Sequence, residues 1–191
     1  MSNFADQLRT RLPDDFVIPE PLERAWSWME AQGWGSSNSH DYYLTPYAGE
    51  RQLGVVFSPG LTLDGWFEAG DTGFDRLVPF VDLDGSGSLG VLWSDDRRDI
   101  QVGALGGEGQ VSLLAENTLD FLRLVAIGYE EVGSYLDGEP EDEEAVEGHA
   151  AFRSWVQDEF DVVVPNAWRY ADPDPFNAWV SAVKGGEHTT Y

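Results

Sequence analysis

The chain contains no cysteine, one lysine and no hydrophobic run of membrane-spanning length, and each shortage closes a class of function. Without cysteine there is no disulfide framework, no thiolate nucleophile and no Cys-ligated zinc, which agrees with a reducing compartment. Lys184 is the single lysine, so neither glycine group (Gly85, Gly87 and Gly90, or Gly103, Gly106, Gly107 and Gly109) carries the lysine of a phosphate-cradling loop. No window approaches the roughly 18 apolar residues of a membrane span. The opening MSNFADQLRTRLPDD has no apolar stretch of signal-peptide length, so a cytoplasmic protein is expected. Base is scarce as a whole. Eleven Lys and Arg stand against thirty-five Asp and Glu, a net charge of -24 on 191 residues.

Acidic chains that stay disordered are poor in large apolar side chains, and this one is rich in them, with eight Trp, ten Phe and seven Tyr. A folded domain with a strongly negative surface follows. Its field repels nucleic acid and anionic membrane and speeds encounter with cationic partners, so the partner expected is a basic protein.

Periodicity lays out the elements. After Pro19 and Pro21, residues Leu22, Ala25, Trp26 and Met29 recur at helical spacing and Gly33 is placed to end the helix. From Tyr42 to Phe67, β-branched and aromatic residues punctuated by Pro and Gly predict short strands joined by turns. Leu77 to Val81 and Leu89 to Trp93, joined by DLDGSGS, read as a hairpin, with further strands over Ile100 to Leu105 and Val111 to Leu114. Asn117 or Thr118 caps a helix whose buried face is expected to be Phe121, Leu122, Val125, Tyr129 and Val132. From Ser134 to His149 there are seven acids and no base, which predicts a solvated linker. Beyond it, FRSWV at 152–156 and FNAWV at 176–180 repeat one helical pattern, the second opened by Asp174 and Pro175. Aromatic stripes of this kind usually mark core, so both helices are expected to dock on the main domain rather than to capture peptides. The organisation expected is a domain over 1–133, an acidic linker over 134–149 and a C-terminal helical extension over 150–191.

Gly65, Trp66 and Phe67, then Arg76 to Trp93, then Gly106 to Glu131, behind an N-terminal helix opened by Ile18 and Pro19, together resemble the SMI1/KNR4, or SUKH, superfamily. The resemblance covers about the first two-thirds of the chain and rests on the order of its elements, not on a catalytic signature. It implies an α+β fold, a largely antiparallel mixed sheet with helices packed against it. It also implies protein binding without chemistry, many bacterial members resembling immunity proteins that bind and neutralise polymorphic toxins. The acidic linker and the FxxWV tail lie outside it. A regulatory scaffold, the role of some eukaryotic relatives, is the alternative, and a hydrolase with a dispersed acidic site is the third reading.

Candidate chemistry is thin. His40, His149 and His188 have no metal-binding spacing and read as surface residues, and no serine sits in a GxSxG elbow. Pairs such as Asp95 and Asp96, or Glu130 and Glu131, are expected by chance among so many acids. Asp82, Asp84, Ser86, Gly87 and Leu89 match positions of an EF-hand loop, but position 12 is Trp93 and the flanks look like strands, so a hairpin turn is favoured. No catalytic, cofactor or metal residue is assigned. The expected partner-binding face joins an aromatic anchor to acids on sheet connections: Trp66, Glu68, Asp71, Asp75, Asp82, Asp84, Asp95 and Asp96.

Overall fold

In the computed structural model, which describes residues 2–14, 16–38, 41–133, 136 and 138–186, the chain opens with a helix that is not among those expected. Helix α1 (Asn3–Arg9) is short, but Ser2 caps it and Phe4 and Leu8, one turn apart, are buried. Its first amides are held from outside: Asn3 N and Phe4 N donate to the Glu30 carboxylate at 3.1 and 2.9 Å. Glu30 belongs to α2 (Glu20–Ala31), which starts after Pro19 with Pro21 in its first turn, where a missing N–H breaks no hydrogen bond. Leu22, Ala25, Trp26 and Met29 are all buried, as their spacing predicts.

Among the described residues seven strands follow in chain order across one open sheet: β1 (Gly35–Ser37), β2 (Tyr42–Leu44), β3 (Val56–Phe57), β4 (Leu77–Asp82), β5 (Leu89–Ser94), β6 (Ile100–Leu105) and β7 (Val111–Ala115). Every pair among the described residues is antiparallel, which agrees with the largely antiparallel sheet expected and leaves no parallel pair to make it mixed. Each strand pairs with its sequence neighbour, and a parallel pair would need a crossover that none of these connections makes.

The sheet buries both faces. On one, Phe57, Phe80, Leu92, Val102 and Leu114 pack against α1, α2, α3 (Thr118–Val125) and α5 (Ala150–Phe160). Trp26 sits at the centre of this core, 4.3 Å from the Phe4 ring and within ring contact of Phe57 and Phe80. On the other, Leu77, Val91, Trp93, Leu105, Val111 and Leu113 lie under α6 (Pro175–Lys184). The two FxxWV motifs therefore serve opposite faces: Phe152 and Val156 enter the first core, Phe176 and Val180 the second. Coverage of both faces explains why β5 and β7 read as nearly continuous apolar runs.

Three expectations are corrected. Helix α3 ends at Val125, so Tyr129 and Val132 are buried after the helix instead of on its face. The stretch 134–149 is not solvated throughout, because Glu143–Gly148 forms helix α4. Asp142 caps it, Glu143 and Glu144 occupy the first turn where the helix dipole favours anions, and the register turns Ala145 inward. His149 is not a surface residue: it is 1% exposed, its Nδ1 lies 2.7 Å from the Ala145 carbonyl and its ring is 5.0 Å from Tyr47. Ser134, Tyr135 and Asp137 of the linker, with His40 and His188, lie outside the described residues.

Candidate partner-binding site

The hairpin of β4 and β5 decides which of the expected site residues meet. Asp75 precedes β4 in a single 3-10 turn (Phe74–Arg76), and Asp95 and Asp96 follow β5, so all three gather at one end of the hairpin. Asp82 and Asp84 sit at the other end, six residues of strand away, roughly 17–20 Å at the usual rise per residue. The eight residues do not form one patch.

At the Asp82 end the carboxylates are committed to their own turn. Asp82 accepts from the amides of Asp84 and Gly85 at 3.1 and 2.6 Å. Asp84 accepts from Ser86 N, Ser86 Oγ and Ser88 N at 2.7, 2.8 and 3.3 Å. Burial alone would raise the Asp84 carboxyl, but the donations from Ser88 and Ser86 hold it below its ordinary range. A close neighbour covers it, since a Cβ on Gly133 would collide with the Asp84 carboxylate. The flanks are strands, and Trp93, where a calcium loop needs its bidentate Glu, is 4% exposed in the second core. These oxygens shape a hairpin turn. Among the described residues no group of three or more His, Asp or Glu is arranged to hold a metal ion.

The opposite end is more open. Asp75, Asp95 and Asp96 line a cleft of about 550 Å³ together with Pro13, Asp14, Phe16, Arg76, Ser94 and Arg98. Asp95 organises the β5–β6 turn, accepting from Arg97 N and Asp99 N at 2.8 and 2.9 Å and from the side-chain Nε2 of Gln101 at 3.1 Å. Asp96 is far more exposed and pairs with Arg76 at 2.8 Å. Arg76 is the organiser here. Its guanidinium lies 5.0 Å from the Trp179 ring and 5.9 Å from Trp93, and Nε donates to the Ser94 carbonyl at 2.6 Å. It thus ties the cleft to α6 and the second core.

Trp66, Glu68 and Asp71 sit on the long β3–β4 connection beside this end. Trp66 is half-buried against the second core, so it is neither a free anchor nor fully interior. Glu68 is exposed. Asp71 accepts from Glu68 N at 3.0 Å and pairs with Lys184 at 3.5 Å. The Glu68 amide and the lysine together hold the Asp71 carboxyl below its ordinary range. Lys184 also lies 4.8 Å over the Phe67 ring, which docks the connection on the end of α6.

Asp14, Arg76 and Arg98 belong to the cleft but are absent from the expected set. For the arginines a signal exists: in a chain with only eleven basic residues, each arginine is a candidate organiser of neighbouring carboxylates. For Asp14 there is none, because the segment that brings it to the cleft is distant in sequence from the hairpin. Among the described residues no helix is long and apolar enough to cross a membrane. Comparison with protein-family models, with curated proteins and with solved structures finds no match.

Proposed function

We propose that this α+β protein is a non-enzymatic, acidic binding module that acts as an immunity protein, neutralising a basic toxin domain by covering it. The observation that carries the reading is the net charge of -24 on a chain that folds around two aromatic-rich cores. Such a field raises the encounter rate with a basic protein and disfavours nucleic acid and anionic lipid. The superfamily resemblance at Gly65–Phe67, Arg76–Trp93 and Gly106–Glu131 supports the same class. The cleft at that end of the hairpin supports placing the contact there, because Asp14 and Asp75 line it without a cation partner among the described residues, whereas Asp95 is held by its own turn and Asp96 by Arg76. Asp82 and Asp84, already committed to backbone donors, then contribute field more than contact.

The test is co-expression with the product of the adjacent gene. Protection of the host from that product and a complex that co-purifies, with an on-rate falling steeply as salt rises, are the expected results. A neighbour that is harmless alone, or a toxic one against which the protein gives no protection and forms no complex, overturns the reading.

A further inference from the structure

Next to the acidic cleft lies a second hollow of different character, lined by Leu8, Pro59, Leu63, Phe67, Leu77 and Val78 among other mostly apolar residues, with a volume of about 280 Å³. It opens where α1 and the β3–β4 connection meet the start of β4, and Pro13 lines both it and the cleft. Small-molecule sites usually run to roughly 300–1,000 Å³, so this hollow falls just short of a drug-sized ligand and suits one large apolar side chain.

Charge says what must carry that side chain. Asp64 and Glu68 stand on the rim of the hollow, and Asp14 and Asp75 in the adjoining cleft. All four are exposed, and none is paired with a cation among the described residues. Arg11, the one base on the rim, donates to the Pro59 carbonyl and keeps its charge, so the two rim acids exceed it by one. An apolar socket edged by exposed carboxylates that form no ion pair among the described residues is complementary to an apolar anchor flanked by Lys or Arg, the arrangement in which a central anchor supplies affinity and the surrounding charges supply rate and specificity.

We infer that this socket receives a single aromatic or large aliphatic side chain from a basic protein segment whose neighbouring Lys or Arg residues pair with Asp64, Glu68, Asp14 and Asp75. The inference rests on the immunity-protein reading and names where its partner is gripped.

The probe is a pentapeptide with Phe between two pairs of lysines, titrated into the 15N-labelled protein at low salt. Amide shifts concentrated in 8–14, 59–79 and 95–98 are expected. The same peptide with Ala for Phe should bind at least tenfold more weakly, and one with Glu for each Lys should not bind. Ala69→Trp, at an exposed rim position, should cost tenfold or more in affinity. Thr62→Trp, also exposed, repeats the test should Ala69→Trp disturb the fold. Equal binding of the Phe and Ala peptides, shifts centred on the Asp82–Asp84 turn, or full affinity in a folded rim variant would each overturn the socket. The two readings fail separately. A peptide that seats in the socket while no toxic neighbour is neutralised removes the function and leaves the socket. A neutralised toxin bound equally by wild type and Ala69→Trp removes the socket and leaves the function.

Discussion

At Gly103 in β6 the second core depends on a missing atom. A Cβ there would lie 2.6 Å from Phe176 Cζ, against a ring that is fully buried and has nowhere to go. Gly103→Ala should therefore destabilise by about 1–3 kcal/mol, the usual range for overpacking, in urea denaturation. Gly186→Ala is the control, since nothing lies within 4 Å of the Cβ it would add. His149 makes a different prediction. Burial lowers its pKa from the ordinary 6.5, outweighing the hydrogen bond to the Ala145 carbonyl, so the folded state resists protonation that the unfolded chain accepts. The stability it contributes is complete above pH 6.5 and is lost as pH falls toward the folded value, by at most about 1.4 kcal/mol per pH unit. Carboxylates of ordinary pKa, about 4, stay ionised through this window. Between pH 7.5 and 5.5 the melting temperature of the wild type should drop more than that of His149→Gln, and equal drops would show that another group titrates.

On the scale of elements, the C-terminal segment closes the exposed edge of the sheet. Among the described residues strand β7 has no further strand beside it, yet three of its backbone groups are satisfied. Leu113 N donates to Asp174, Val111 O accepts from Asn177, and Leu114 O accepts from the Trp168 indole, at 2.7, 2.8 and 2.8 Å. An uncovered apolar edge is an aggregation hazard, and here α6 and its approach cover it with side chains. Asp174 does two jobs, because its other oxygen caps α6 through Asn177 N at 2.8 Å. Asp174→Ala removes a cap worth about 1 kcal/mol and strands a half-buried amide at about 1–3 kcal/mol. A total near 2–4 kcal/mol is expected by denaturation, with aggregation appearing first as the edge opens. A loss no larger than that of Asn117→Ala, which removes the cap on α3 and a side-chain bond to Asp120 but no edge contact, would mean the edge contact contributes nothing.

For the molecule as a whole, charge works against the fold it accompanies. Arg9, Arg24, Arg51, Arg76, Arg123 and Lys184 are already paired with carboxylates, so a large excess of acid is left to repel itself. Exposed pairs are worth about 0–1 kcal/mol each and would weaken with salt, whereas self-repulsion at -24 is relieved by it. Repulsion should win. Raising sodium chloride from about 0.01 to 0.1 M shortens the screening length from about 30 to about 10 Å, and the melting temperature should rise by several degrees. A fall would mean that the ion pairs outweigh the excess charge.

What the sequence determined by itself was local: the apolar face of α2, the β4–β5 hairpin, the Asn117 and Asp174 caps and the strands of β6 and β7 all follow from spacing and cap chemistry within a dozen residues. It also determined the sign of the field, which is a sum and needs no geometry. Helix α1 was legible in principle, from Ser2 and the one-turn spacing of Phe4 and Leu8, but a seven-residue helix holds only through its contacts with Glu30 and the first core. Tertiary structure alone decided which acids matter together. A hairpin sends Asp75 and Asp95 to one end and Asp82 to the other although Asp75 and Asp82 are close in sequence, and α1 with the segment after it brings Leu8 and Asp14 to the β3–β4 connection across about fifty to sixty residues. It also decided that His149, in a run of acids, is interior. Among thirty-five similar carboxylates no local pattern singles out those left unpaired, because pairing depends on where the few arginines come to rest in space.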